Sequence, residues 1–198
     1  MAKPVEFWFE FASTYSYLAA ARVEAACADA GVPLVWRPFL LGPVFAAQGM
    51  TTSPFNMFPV KGAYMWTDMA RCCADLGLPF RKPGSFPRGS LLAARVAAAH
   101  AEAPWVGAFV RAVYHANFAE DRDIADDAVI AAIIDEIGVD PDAAVAAATA
   151  PAGKAALRAA TEDAMARGIF GAPSFLVDGA LFWGNDRMQQ ALAHARAA

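Results

Sequence analysis

Three short stretches place hydroxyl, amide and charged groups where a chain would change direction. In "FEFASTYSYLA" (residues 9–19), Ser13 and Thr14 stand where an apolar strand would give way to a helix, with Ser16 one step further on. A hydroxyl there can cap the helix by accepting an N–H from its first turn. It can also donate its O–H to a bound anion or thiolate, and one donor with two lone pairs makes the two uses compatible. Positive potential at a helix start lowers the pKa of a thiol held against it. In "FWGNDR" (182–187), Asn185 and Asp186 stand where a hairpin would meet the last helix. Either residue caps that helix, or the amide and carboxylate bind an amino-acid head group, the carboxylate taking its ammonium.

A third group lies on "PVKGAYMWTDMARCCADLG" (59–77). At about 100° per residue, Lys61, Tyr64, Asp68 and Arg71 share one stripe, while Met65, Met69, Cys72 and Leu76 form an adjoining core face. Asp68 and Arg71, three apart, suit an ion pair. The stripe is either a solvated or ion-paired face or, at the Lys61 and Tyr64 end nearest the long loop, a place where a carboxylate-bearing substrate could be met. In "GAPSF" (171–175), Pro173 precedes a strand, a position that tolerates proline. The alternative is a cis Ala172–Pro173 bond, which would let Ala172 offer its backbone N–H and C=O to a ligand.

The 198-residue chain carries a net charge of −4, against a general nucleic-acid binder, which needs a basic face. Its most apolar run, "LLAARVAAAHA", contains Arg95 and His100 and reads as a helix of a soluble protein rather than a membrane span. The start "MAKPVEFWFE" lacks the charged and apolar regions of a signal peptide, so a cytoplasmic protein is expected. Cys27, Cys72 and Cys73 form no CxxC pair and suit free thiols in a reducing compartment. With His100, His115 and His194 they show no metal-ligand spacing, and no metal is expected.

The elements that must position these groups follow from periodicity. Residues 5–11 read as a strand, 14–30 as a helix stopped by Gly31, and 33–39 as a second strand. Residues 40–60 show no clear period and read as a long loop, uncommon unless functional. Helices are predicted near 60–77, 88–101, 104–119, 126–137, 141–149 and 152–167, the fifth opened by Asp140–Pro141. "SFLVDG" and "LFWG" form a hairpin around Asp178–Gly179, and a last helix runs from near Asn185 to the end. The layout is βαβ, then helices, then ββα.

Taken together, "FEFASTYSYLA", "SPFN", "PVKGAYMW", "GLPFRKP", "GAPSF" and "LFWGNDR" resemble the 2-hydroxychromene-2-carboxylate isomerases over nearly the whole chain. These are glutathione-dependent relatives of the kappa-class glutathione transferases, within the thioredoxin-like folds of the DsbA kind. The resemblance implies an α/β thioredoxin-like βαβ…ββα fold made of residues 1–42 and 168–198, interrupted by a helical insertion over 43–167. It implies that Ser13 is catalytic, hydrogen-bonding the glutathione sulfur and stabilising its thiolate. Ser13 and Ser16 stand where disulfide-exchanging relatives carry CxxC, so redox chemistry is not expected.

By the same resemblance, Ala172, before a cis Pro173, pairs through its backbone with the cysteinyl part of glutathione. Asn185 and Asp186 hold the γ-glutamyl end, and Trp183, Gly184 and Asn56 complete the cofactor-binding set. Lys61 and Tyr64 are the implied substrate-binding residues, Lys61 facing a carboxylate. The implied activity is interconversion of 2-hydroxychromene-2-carboxylate and trans-o-hydroxybenzylidenepyruvate, or a related aromatic pyruvate, in a homodimer. A kappa-class-like transferase and a non-catalytic thioredoxin-like binding module are the alternatives. The chain departs from the family pattern at Thr14, where proline is usual. A second hydroxyl there would compete with Ser13 for the sulfur.

Overall fold

The computed structural model describes residues 2–197. Strand β1 (Val5–Phe9) is apolar at every position but Glu6 and is covered on both faces, which makes it central. It pairs in parallel with β2 (Leu34–Pro38) and antiparallel with β3 (Ser174–Val177). Strand β4 (Ala180–Trp183) pairs antiparallel with β3, giving the sheet order β2-β1-β3-β4. The β3–β4 turn uses Asp178 and Gly179, with φ of 49° and 84°. Two successive positive φ angles are what a two-residue hairpin of this twist requires.

The crossover between β1 and β2 holds two helices where the sequence suggests one. Helix α1 (Thr14–Ala20) ends at Ala21, and α2 (Val23–Ala30) runs to Gly31, whose φ of 65° closes it. The expected loop over 40–60 also contains helices, α3 (Leu41–Ala47) and α4 (Pro54–Met57), followed by α5 (Pro59–Asp75). The prolines that look like loop punctuation open these helices. Pro43 lies in the first turn of α3, and Pro54 and Pro59 take the first positions of α4 and α5, where a missing N–H costs nothing. Ser53 accepts from Phe55 N–H and caps α4.

Five more helices precede β3: α6 (Leu91–Ala99), α7 (Val106–Phe118), α8 (Asp127–Glu136), α9 (Pro141–Thr149) and α10 (Pro151–Ala166). The expected cap at Asp140 is made, its Oδ1 accepting from Asp142 and Ala143 N–H. After β4, residues Asn185–Arg187 form a 3-10 turn, and α11 (Met188–Ala197) follows.

One aromatic core lies against one side of the sheet. Phe7 stacks on Phe175 at 5.4 Å and Phe9 meets Phe11 edge-on at 5.4 Å, while Tyr17 stacks on Phe118 at 5.6 Å. Burying each such ring contributes about 1.5–3 kcal/mol. On the other side Trp8, Phe39, Val44, Ala164, Ile169 and Leu176 form a second cluster. In α5 the buried face is Gly62, Met65, Met69 and Cys73, not the expected Met65–Leu76 stripe. Cys72 is half-buried and Leu76 is exposed. Continuing by four residues beyond Met69, rather than three, rotates the buried line onto Cys73.

Candidate active site

Ser13 stands at the cap position of α1, with extended backbone at φ −75° and ψ 117°, yet its side chain makes no capping bond. Its Oγ donates instead to the carbonyl of Ala172 at 3.0 Å, across 159 residues of sequence. The capping reading of this hydroxyl is therefore not what the fold uses. The peptide bond between Ala172 and Pro173 is cis. Among the described residues, the Ala172 N–H has no protein acceptor.

The neighbouring hydroxyls point elsewhere. Thr14 is buried and its Oγ1 donates to Met65 Sδ at 3.2 Å, so it faces α5 and leaves the surface at this junction to Ser13. Ser16 is fully buried, facing the Tyr114 hydroxyl without a hydrogen bond of regular geometry. The turn ahead of Ser13 is held from below. Ser13 N–H and Tyr114 O–H both donate to the Glu10 carbonyl, at 3.0 and 2.8 Å, and Asn117 Nδ2 donates to the Phe11 carbonyl at 3.2 Å.

The 183–186 segment is brought to the same end of the sheet. Trp183 pairs with Ser174 in the β3–β4 ladder, and Gly184 N–H donates to the Pro173 carbonyl at 2.9 Å. Gly184 has a φ of 114°, and a Cβ there would meet Asp186 Oδ1 at 2.6 Å, so glycine is required. Trp183 is 53% exposed and its ring lies 4.8 Å from that of Phe170. A Cβ on Gly171 would strike Trp183 Nε1 at 2.6 Å. Asn185 does not cap α11; its Oδ1 accepts from Arg22 Nη2 at 2.5 Å, which ties the turn to the end of α1. Asp186 points into solvent beside Arg187 Nη1 at 2.7 Å.

Helix α5 packs beside α1. Tyr15 O–H donates to Asp68 Oδ2 at 2.7 Å, so Asp68 is not the ion-pair partner of Arg71 that its spacing suggests. Burial, and then the Asp68 carboxylate, push the Tyr15 phenol well above its ordinary pKa, so it stays a neutral donor. Lys61 is exposed, its Nζ 5.6 Å from the Phe58 ring centre, and Tyr64 is 60% exposed one turn later. Asn56 Nδ2 donates to the Phe86 carbonyl at 3.2 Å and to Thr52 Oγ1 at 3.3 Å. The fold thus joins Ser13, Ala172 and the 183–186 turn directly. Asn56, Lys61 and Tyr64 sit on α4 and α5, without a hydrogen bond to that group among the described residues.

Two concave regions of about 440 and 320 Å3 lie elsewhere, over Tyr17 and His115 and over Trp8 and Ala156; neither is lined by Ser13, Ala172, the 183–186 turn, Asn56, Lys61 or Tyr64. Among the described residues, no group of His, Cys, Asp or Glu could hold a metal ion. No described helix is long and apolar enough to cross a membrane.

The model of the DSBA-like thioredoxin domain matches residues 4–195. A 2-hydroxychromene-2-carboxylate isomerase of Sphingobium xenophagum is 32% identical over 189 residues, covering 95% of each chain. The chain belongs to the 2-hydroxychromene-2-carboxylate isomerase family of DSBA-like thioredoxin proteins. That membership makes the protein an isomerase. A Pseudomonas putida member is 26% identical over 93% of this chain and 90% of its own. Glutathione S-transferase kappa 2 of Caenorhabditis elegans is 25% identical over 95% of this chain and 89% of its own. A solved 2-hydroxychromene-2-carboxylate isomerase superposes with a TM-score of 0.87 at 24% identity, covering 96% of this chain and 93% of its own.

Sequence reasoning did not find Arg22, Tyr15 or Glu10. Arg22 falls within residues 14–30, which read as one continuous helix. The break at Ala21 is what turns its side chain toward Asn185.

Proposed function

We propose that this family member is a glutathione-dependent isomerase interconverting 2-hydroxychromene-2-carboxylate and trans-o-hydroxybenzylidenepyruvate, or a related aromatic pyruvate. The observation that carries the proposal is the Ser13 hydroxyl, free of its capping duty and 3.0 Å from the Ala172 carbonyl. When bound, glutathione supplies a thiolate that adds to the conjugated double bond, permits rotation about it, and leaves again without being consumed.

The residues present fit that cofactor. Ser13 has one O–H to donate, now directed at the Ala172 carbonyl, and a side-chain rotation would turn that hydrogen bond to a sulfur seated beside the turn. The free Ala172 N–H and its carbonyl provide a backbone edge for the cysteinyl part. Arg22 holds Asn185 by its Oδ1, so the amide N–H groups of Asn185 are turned outward to donate to a carboxylate. Beside them the exposed Asp186 carboxylate accepts from an ammonium. Trp183 and Gly184 shape the floor between these two ends.

The energetics decide how much each part contributes. Holding a thiol ionised about two units below its ordinary pKa requires about 2.7 kcal/mol. Helix α1 has only seven residues, so its dipole contributes at the low end, about 0.3–1 kcal/mol. A hydrogen bond from Ser13 to a charged acceptor contributes about 1.5–3 kcal/mol and is the larger part. Lys61 would hold the substrate carboxylate and Tyr64 the adjoining polar group. Asn56, whose amide hydrogens are already bonded, keeps its Oδ1 as an acceptor.

The proposal extends to a cytoplasmic homodimer, and to a thioredoxin-like unit of residues 1–42 and 168–198 around an insertion of 43–167. The kappa-class likeness favours a second reading, transfer of glutathione to electrophiles at the same site. Mass spectrometry of the products from a chromene carboxylate and from a simple electrophile separates the two. Release of the isomer with all glutathione recovered supports the isomerase; a stable thioether as the main product supports the transferase.

A further inference from the structure

We propose that Glu10 is a positioning residue of this site: its buried carboxyl ties the turn carrying Ser13 to the head of α6 and so holds the Ser13 hydroxyl in register with Ala172. The inference rests on the isomerase reading for its kinetic test, and the geometry stands apart from that reading. Glu10 is 7% exposed and three residues ahead of Ser13. Its Oε2 accepts from Ala12 N–H at 3.0 Å, and its Oε1 lies 2.5 Å from Ser90 Oγ. Its carbonyl accepts from Ser13 N–H and from Tyr114 O–H. One residue thus fixes the turn at three points, to itself, to α6 and to α7.

The partner is unusual for its own element. Ser90 stands at the cap position of α6 but its hydroxyl makes no capping bond, being turned to Glu10 instead. A favoured cap is given up to satisfy a carboxyl on the strand that leads to the site. No lysine, arginine or histidine pairs with Glu10 among the described residues. Arg88, two residues before Ser90, gives its guanidinium to Asn117, Asp121 and the Arg122 carbonyl. The titratable group that faces Glu10 is Tyr114, from α7, itself held neutral by burial.

A carboxyl buried without a cation is most stable as the neutral acid. Burial raises the Glu10 pKa, and the Ser90 and Ala12 hydrogen bonds offset this only in part. The neutral acid satisfies both contacts, accepting from Ala12 while sharing a proton with Ser90. Ionisation leaves a negative charge facing the Tyr114 oxygen, and the turn must open to hydrate it. Ser13 then loses its alignment, so glutathione-dependent turnover falls as pH rises through the Glu10 transition.

The test uses full-length Glu10→Gln and Glu10→Leu, each checked for cooperative unfolding. Gln keeps an acceptor for Ala12 and gains a donor for Ser90, but does not ionise. Glu10→Gln is expected to keep kcat near that of the wild type with neutral Glu10 and to lose the decline that the wild type shows as pH rises through the Glu10 transition. Glu10→Leu is expected to lower kcat about a hundredfold with little change in the KM for glutathione, as misplacement of one reacting group does. A Glu10→Gln profile that declines like the wild type overturns the proposal, as does a Glu10→Leu enzyme with normal kcat. If Glu10→Leu does not fold, the Glu10→Gln profile decides. If the wild type neither turns over nor binds glutathione, the isomerase reading fails. The Glu10 carboxyl carbon and Ser13 amide shifts in an NMR pH titration then test the inference: shared transitions support it, independent ones overturn it.

Discussion

Ser13 and Thr14 are adjacent hydroxyls with different fates. Ser13 reaches across the fold to Ala172, while Thr14 turns inward to the Met65 sulfur. Ser13→Ala should therefore leave stability nearly unchanged and reduce glutathione-dependent turnover by roughly tenfold to a hundredfold, matching a lost hydrogen bond to a charged acceptor. Thr14→Val should show the reverse pattern, normal turnover within a stability change of about 1 kcal/mol, checked by urea unfolding beside the rate assay. The sequence makes the junction legible, because an apolar strand running into "STYS" leaves few places for a hydroxyl to go. It does not say which hydroxyl faces outward, since that depends on Met65, fifty-one residues away.

The buried thiols provide a pH prediction. Burial pushes Cys27 and Cys73 from the ordinary range near 9 up to about 11. Both groups are neutral in the folded state at a pH where the unfolded chain already ionises. Their contribution to stability is complete below pH 9 and is lost as pH rises toward 11. Urea midpoints across that window should fall in the wild type and fall less steeply in Cys27→Ala. An equal slope in the variant would remove Cys27 from the account.

Among the elements, α4 and α5 show what periodicity cannot supply. Gly62 allows the start of α5 to press on the backbone of α4: a Cβ there would lie 2.2 Å from the Phe55 carbonyl oxygen. Gly62→Ala must push α4 aside, displacing Asn56 relative to Lys61. We expect a loss of about 1–3 kcal/mol, as for other overpacking changes, with a raised KM for the substrate measured at saturating glutathione. The four strands and the Asp178–Gly179 hairpin are readable from sequence, because alternation and turn chemistry are local. The two short helices within 40–60 are not, since Pro43, Pro54 and Pro59 read as breaks until neighbouring elements give the helices something to pack on. The split at Ala21 is hidden for the same reason: residues 14–30 have good helical spacing, and only Arg22 meeting Asn185 reveals the turn.

At the scale of the whole molecule, the turn that carries Ser13 belongs to the sheet but is held by the helices between β2 and β3. Ser90 of α6 and Tyr114 and Asn117 of α7 all bond to residues 10–11, and Phe9 packs on Tyr114 with centroids 6.4 Å apart. Phe9→Ala should cost about 3–5 kcal/mol and lower a single cooperative transition, seen by far- and near-ultraviolet circular dichroism together. Two separated transitions would mean that the helices and the sheet fold as independent units. The central claim, a serine that stabilises a cofactor thiolate for isomerisation, is tested most directly by one measurement. Interconversion of 2-hydroxychromene-2-carboxylate and its open trans isomer is followed by absorbance, with and without glutathione, for the wild type and Ser13→Ala. Turnover that requires glutathione and collapses in Ser13→Ala is predicted. Turnover that is indifferent to glutathione, or undiminished in Ser13→Ala, would contradict the account.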